Sequence, residues 1–155
     1  PRCEGQIPVY YNSLQNRSDY VGMSGTPTLR FGFGLSYTTF AVSDVRVEKA
    51  KFARGESNRV FATVRNTGSV AGSETVQMYV TDVKFSIARP LLELRGCQKV
   101  RLEPGESKVV EFPLTEKELG FYNRALEYVV EPGKFKLGVG ASLSSLTTVE
   151  TEVLR

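Results

Sequence analysis

The chain has 155 residues, of which 41% are apolar, so it is long enough for one buried core and too short for two ordinary domains. Its net charge of +3 comes from 20 basic and 17 acidic residues that are interspersed, a pattern that predicts no nucleic-acid partner. Histidine is absent, which removes the commonest general base and the commonest zinc ligand.

The first 40 residues predict an extended segment rather than a domain of their own. Residues 6–12 form a short apolar run typical of an edge strand, since Pro8 cannot donate to a ladder. Residues 13–27 are polar and contain glycine, as connectors do. In residues 29–40 glycines alternate with aromatic residues, which indicates a backbone that packs closely while large rings fill space. We favour packing of this segment on a domain surface, and a sugar-stacking platform is the alternative.

From Val42 onward short strands alternate with turns, and this pattern predicts an all-β, immunoglobulin-like sandwich. Strands are predicted at residues 42–52, 60–64, 74–80, 91–102, 108–114, 126–130, 135–139 and 147–154. The strands at 91–102 and 108–114 are predicted to form a β-hairpin around Glu103-Pro-Gly-Glu106. A helical turn is predicted after Thr115, because Glu118 can complete a capping box with it.

The residue types do not predict a catalytic centre, a metal site or a cofactor site. Without histidine, a serine triad has no base, and Asp19, Asp44 and Asp82 are too far apart in the chain for a calcium loop. The glutamates lie in turns or alternate with apolar neighbours, so we expect them to face solvent with ordinary pKa values: Glu56, Glu93, Glu103, Glu106, Glu111 and Glu131. No apolar run reaches the ~18 residues of a transmembrane helix, so no membrane partner is predicted.

The two cysteines, Cys3 and Cys97, fit no metal-binding spacing. We do not expect a disulfide between them, because two unrelated cysteines rarely lie at bridging distance. Cys97 falls inside a predicted strand, where we expect a small buried side chain.

A series of motifs runs through the chain in a fixed order. It begins with Arg30-Phe-Gly-Phe-Gly-Leu-Ser-Tyr-Thr-Thr-Phe40 and continues with residues 64–80, Arg89-Pro90, residues 93–96, residues 102–106, Phe121-Tyr122 and Glu131-Pro-Gly133. Together these motifs resemble the C-terminal end of family-3 glycoside hydrolases, the β-glucosidase and β-xylosidase family. The first resembles that family's linker and the others its fibronectin type III-like domain. Residues 5–12 resemble the last strand of the preceding α/β domain.

This chain departs from the family's pattern at two positions. Arg30 stands where the linker normally has proline, which loosens that turn. Cys97 stands where an aromatic residue is usual, which predicts a smaller or differently filled core pocket. Neither departure concerns catalysis.

The resemblance implies a division into a remnant strand (residues 1–12), a linker (13–40) and a fibronectin type III-like β-sandwich (41–155). It also implies a non-catalytic accessory domain that stabilises the catalytic domains, since the family's catalytic Asp and Glu lie in regions that this chain does not match. The parent enzyme would hydrolyse β-glycosidic bonds in plant-type glucans or xylans, in the periplasm or outside the cell.

The expected partners are the parent's catalytic domains in cis, a weakly bound carbohydrate and a second copy of the chain, which an exposed apolar patch would attract. The candidate interface residues are Ile7, Tyr10, Phe31, Phe33, Tyr37, Phe40, Tyr79, Phe85, Arg89 and Tyr122. For the last four, ordinary packing at strand ends is the competing interpretation. A carbohydrate-binding module, disfavoured by the absence of tryptophan, and an adhesion or scaffold sandwich remain as alternatives.

Overall fold

The computed structural model describes residues 10–12 and 24–155, so Ile7, Cys3 and most of the predicted strand at 6–12 lie outside the described residues. The described part contains ten strands and one short helix, α1 (Glu116–Leu119). The strands are β1 (Phe40–Val47), β2 (Lys51–Ala53), β3 (Asn58–Asn66), β4 (Gly72–Asp82), β5 (Glu93–Leu102), β6 (Ser107–Leu114), β7 (Phe121–Tyr122), β8 (Tyr128–Val129), β9 (Gly133–Gly140) and β10 (Thr147–Leu154).

Two main sheets enclose one core. The smaller has the order β1-β3-β6 and the larger the order β2-β10-β9-β4-β5, while β7 and β8 form a separate pair. Side chains alternate along each strand, so that Val60, Ala62 and Val64 of β3 are fully buried while Arg59 and Arg65 are exposed. The buried residues of both sheets form a single apolar cluster. The predicted all-β sandwich of the fibronectin type III-like class is therefore confirmed.

The predicted hairpin at residues 91–114 is wrong, because its two strands belong to different sheets. β5 pairs with β4 in the larger sheet and β6 pairs with β3 in the smaller one. The connecting turn is held by the backbone of Asn66, which donates to the Glu106 carbonyl (2.9 Å) and accepts from the Gly105 N–H (3.0 Å). Alternation identified the core-facing Val100, Leu102, Val110 and Phe112 correctly, but it does not show which strand each of these strands pairs with.

Other predicted boundaries also changed. The predicted strand at 42–52 divides into β1 and β2, which lie in different sheets. The capped helical turn is confirmed: the Thr115 hydroxyl accepts from the Lys117 N–H (3.2 Å), and the Glu118 carboxylate accepts from the Thr115 N–H (2.9 Å). The predicted strand at 126–130 shortens to β8, which pairs with β7.

A bulge in β5 decides the position of Cys97. Met78 pairs with Gly96 and Tyr79 with Leu94, which leaves Arg95 without an opposite residue. Beyond this bulge the even-numbered residues face the core, so Cys97 points outward as an exposed free thiol. The prediction that Cys97 fills a core pocket is therefore wrong.

Candidate interdomain surface

Strand β4, which lies between β9 and the edge strand β5, is buried on both of its faces. Its even-numbered residues belong to the core, while the opposite face carries Gln77 and Tyr79, with exposed fractions of 7% and 0%. Polar side chains on the outer face of a sandwich normally contact water. Here residues 30–40, which we call the covering segment, and Tyr11 exclude it.

Hydrogen bonds fix the covering segment to the larger sheet. The Gln77 amide donates to the carbonyls of Gly32 (3.3 Å) and Ala141 (2.8 Å), and it accepts from the Tyr79 hydroxyl (2.5 Å). The Leu143 N–H, in the loop after β9, donates to the carbonyl of Phe31 (3.1 Å). These bonds join the segment to β4 and to the 141–146 loop.

Aromatic rings complete this cover. The Tyr11 ring stacks on the Phe31 ring, with centroids 4.0 Å apart and planes 15° apart. It also meets the Tyr79 ring edge-on at 6.3 Å. Loss of water around the Tyr79 hydroxyl, together with the nearby Tyr11, raises the pKa of Tyr79 to about 12.

A second anchor lies at the end of the covering segment. The buried Asn66 side chain accepts from the Thr38 hydroxyl (2.8 Å) and from the Gly68 N–H (3.0 Å). Its amide donates to the carbonyls of Val70 (2.8 Å) and Leu102 (3.1 Å). One asparagine therefore ties the segment to the turn after β3 and to the end of β5.

The outward side of the covering segment is apolar. Its exposed fractions are 44% at Phe31, 47% at Phe33, 93% at Leu35 and 101% at Tyr37. We call these four residues the apolar strip. Exposed apolar residues grouped in this way indicate a contact surface rather than ordinary scatter.

The remaining predicted interface residues are spread over the molecule. Tyr10 is exposed just before Tyr11, and Phe40 is partly buried against the core. Phe85 is exposed in the β4–β5 loop, and Tyr122 is exposed in β7, where its ring meets that of Tyr128 at 5.1 Å and 67°. The structure thus brings Phe31 and Tyr79 together, since both rings contact Tyr11. Phe85 lies in the β4–β5 loop and Tyr122 in β7.

Arg89 is buried in a network of charges at one end of the larger sheet. Its guanidinium contacts the carboxylates of Asp82 (2.8 Å) and Glu93 (3.5 Å) and lies 4.6 Å from the centroid of the Phe121 ring. Burial raises the pKa of Asp82, although Arg89 opposes that shift. With 5% of its surface exposed, Arg89 holds the β4–β5 loop and offers little surface to a partner. Glu93 also pairs with Arg95, so the prediction that it faces open solvent is wrong.

The carboxylates of Asp82 and Glu131, at the same end of the larger sheet, are engaged in structural contacts. The Asp82 side chain is only 3% exposed and also accepts from the Lys84 N–H (3.1 Å). Glu131 accepts from the N–H and the hydroxyl of Ser86 (3.1 and 2.5 Å). Within residues 10–12 and 24–155, no group of three or more acidic or cysteine side chains is arranged to hold a metal ion. Nor does any helix in that part of the chain have the length and apolarity of a membrane span.

Comparison with known proteins agrees with the geometry. A family model described as a fibronectin type III-like domain matches residues 74–143. The chain is 38% identical to a periplasmic β-glucosidase of Salmonella typhimurium, over 99% of this chain and 22% of that protein. It is 40% identical to a putative β-xylosidase of Formosa agariphila, over 92% of this chain and 19% of that protein. The chain belongs to the fibronectin type III-like domains of family-3 glycoside hydrolases.

Solved structures of the family extend the match to the whole fold. A β-glucosidase from Erythrobacter marinus superposes with a TM-score of 0.92 at 38% identity, over 97% of this chain and 20% of that one. A Listeria innocua β-glucosidase in complex with glucose gives a TM-score of 0.86 at 38% identity, over 96% and 22%. This fibronectin type III-like chain thus spans about a fifth of the length of the relatives that it matches.

Sequence reasoning missed Gln77 and Asn66, the two residues that anchor the covering segment. Gln77 alternates with apolar residues and so resembles a solvent-facing position. Asn66 lies in an Asn-Thr-Gly-Ser turn, where an asparagine needs no tertiary partner. Only their contacts with the distant covering segment distinguish Gln77 and Asn66 from ordinary exposed or turn residues.

Proposed function

We propose that this chain is a non-catalytic accessory domain that stabilises the catalytic domains of a family-3 glycoside hydrolase in cis. The observation that carries the proposal is the apolar strip, exposed on a segment that is itself firmly bound to a complete sandwich. Burial of a large apolar side chain contributes about 1.5–3 kcal/mol, so four such residues can hold a domain in place. The relatives, about five times longer, leave ample chain to supply the opposing surface.

The names of the relatives support a parent enzyme that hydrolyses β-glycosidic bonds. Both β-glucosidases and β-xylosidases occur among them, so glucans and xylans are both candidate substrates. The Salmonella relative is named as periplasmic, which supports a periplasmic or secreted parent. The catalytic residues would then belong to the domains that precede this one in the family.

Two measurements test this proposal. The purified 155-residue chain is expected to release no product from aryl β-glucosides or aryl β-xylosides, and sustained turnover by a clean preparation would contradict it. In the full-length enzyme, deletion of residues 29–155 is expected to shorten the half-life of activity on heating. An unchanged half-life would show that the domain does not stabilise its neighbours.

The carbohydrate contact remains a separate prediction. Its candidate platform is the aromatic set Phe31, Phe33, Tyr37 and Phe40, of which Phe31 already stacks on Tyr11 and Phe40 is partly buried against the core. Titration calorimetry with xylan and glucan oligomers decides the point. Saturable heat would favour a carbohydrate-binding role, and its absence across the panel would remove that alternative.

A further inference from the structure

We propose that the hairpin formed by β7 and β8 is a contact site for a β-linked oligosaccharide, which Tyr122, Leu126 and Tyr128 touch. The site is separate from the covering segment. The proposal rests on the proposed function only for the class of ligand, because the parent enzyme would act on β-glycosidic bonds. Its evidence is a firmly held hairpin that exposes three apolar side chains, one of them on a strained backbone.

The β7–β8 hairpin is held in one conformation although, in the described part of the chain, it pairs with neither main sheet. The Tyr128 hydroxyl donates to the Lys117 carbonyl (2.8 Å), and a Cβ on Gly120 would lie only 2.5 Å from the Tyr128 ring. In the loop, the Asn123 side chain accepts from the Glu127 N–H (3.0 Å) and donates to the Glu127 carboxylate (3.0 Å). A surface fixed in advance loses little conformational freedom when it binds a ligand.

Leu126, at the tip of the hairpin, has a backbone conformation that does not suit leucine. Its φ is +62°, and its N–H closes a turn by donating to the Asn123 carbonyl (3.0 Å). Hairpin loops of this kind usually place glycine at such a position, because a Cβ there is crowded by the backbone. Leu126 is 80% exposed, so packing within the described part of the chain does not offset this strain. Strained residues concentrate at sites that bind ligands, and a ligand contact would explain the leucine.

The two tyrosines supply flat apolar surface beside this tip. Tyr122 and Tyr128 are directly opposite each other in the hairpin, so both lie on the same face. Their exposed fractions are 62% and 44%, and their rings meet edge-on at 5.1 Å and 67°. An edge-on contact covers only one ring face, so flat ring surface remains for a ligand. A tyrosine ring with its hydroxyl suits a sugar, which has apolar C–H faces bordered by hydroxyl groups.

The size and charge of the hairpin favour a thin, neutral ligand. Residues 121–129 are far fewer than the about 20–30 residues a side that a stable protein–protein interface uses. The loop carries Arg124 and Glu127, whose opposite charges cancel, so the hairpin does not select an anionic partner such as a nucleic acid. An unbranched β-linked glucan or xylan chain is both thin and uncharged.

The test is a titration of the 155-residue chain with xylohexaose and with cellohexaose, followed by heteronuclear NMR. Saturable shifts are expected at the amides of residues 122–128. Tyr122→Ala is expected to weaken binding about tenfold, because it removes the more exposed of the two rings. The comparison variant is Tyr37→Ala, which removes an exposed tyrosine of the covering segment and is expected to change the affinity by less than about twofold.

Leu126→Gly gives a second readout, in which stability and binding change in opposite directions. Glycine relieves the left-handed strain, so the denaturation midpoint of the chain should rise. Loss of the exposed side chain should at the same time weaken oligosaccharide binding about threefold. A lower midpoint, or a higher midpoint with unchanged binding, would overturn the assignment of Leu126 to the site.

The outcomes separate this proposal from the accessory role. The absence of saturable shifts with either oligosaccharide up to about 10 mM would overturn the site. Binding that is lost in Tyr37→Ala and kept in Tyr122→Ala would also overturn it, because the sugar would then lie on the covering segment. If deletion of residues 29–155 leaves the half-life of the full-length enzyme unchanged while Tyr122→Ala weakens binding, the stabilising role fails and the oligosaccharide site stands.

Discussion

The two outer faces of the sandwich differ sharply in chemistry. On the smaller sheet, Phe61 lies between the guanidinium groups of Arg46 (4.9 Å) and Arg59 (5.6 Å), and Arg59 pairs with Glu48 (2.8 Å) and Glu111 (3.4 Å). On the larger sheet, the corresponding positions hold Gln77 and Tyr79 beneath the covering segment. The outer face of the smaller sheet is charged and solvent-exposed, whereas that of the larger sheet is uncharged and buried at Gln77 and Tyr79.

This difference shows which face depends on buried polar contacts for its stability. The charges of the smaller sheet remain in water, where ion pairs contribute about 0–1 kcal/mol. The groups of the larger sheet are buried, so each lost partner leaves an unsatisfied polar atom that costs about 1–3 kcal/mol. Equivalent substitutions on the two faces should therefore have unequal effects.

The largest expected difference concerns the two aromatic residues. Tyr79→Ala should lower the free energy of unfolding by about 3–5 kcal/mol, because it removes a fully buried ring and opens a cavity under Tyr11. Phe61→Ala, on the exposed face, should cost about 1 kcal/mol. Chemical denaturation of the purified chain measures both, and equal losses would mean that the larger sheet is not covered.

A smaller difference is expected for the polar anchor. Gln77→Ala should lower the free energy of unfolding by about 2–3 kcal/mol, since the Tyr79 hydroxyl and the Ala141 carbonyl lose their partner. The matched control is Thr63→Ala, at a half-exposed position on the smaller sheet, with an expected cost below about 1 kcal/mol. If Gln77→Ala costs no more than the control, the Gln77 hydrogen bonds do not hold the covering segment on the sheet.

Alkaline pH should weaken the covered face selectively. Because the pKa of Tyr79 is raised from 10 to about 12 in the folded chain, its contribution is fully present below pH 10 and is lost as pH rises towards 12. The loss should reach about 2 kcal/mol by pH 12, and Tyr79→Phe should remove it. If unfolding free energies of wild type and Tyr79→Phe fall in parallel over this range, Tyr79 is not shielded from water.

The smallest effect is expected on the charged face. The hydrogen bond from Arg59 lowers the pKa of Glu48, yet both side chains are well exposed to solvent. Glu48→Gln should therefore change the free energy of unfolding less than any substitution on the covered face, and less still in 1 M salt. A large, salt-independent cost would show that this face is also shielded.

The sequence predicted the sandwich because alternation and turns are local signals. It also predicted the capping box at Thr115 and Glu118, which depends on four neighbouring residues. It missed the connection between β5 and β6, because pairing partners lie far apart in the chain. It misplaced Cys97, because a single bulge at Arg95 reverses the side on which each later residue lies.

The candidate surface was predicted only in part, for the same physical reason. The aromatic residues of the covering segment could be identified from their spacing with glycine. Which of these aromatic residues face outward depends on the hydrogen bond from Gln77 to the Gly32 carbonyl. Because these two residues are 45 positions apart in the chain, alternation within either segment does not predict the contact. Tyr79 belongs to the inner side of this contact, where its own chain covers it.

Hydrogen exchange at the Leu143 amide tests most directly whether the covering segment is part of the sandwich. That N–H donates to the Phe31 carbonyl, so its protection reports the segment's attachment. Slow exchange in the wild-type chain, accelerated by Gln77→Ala, is the predicted result. Exchange in the wild-type chain as fast as that of an exposed loop amide would contradict the account.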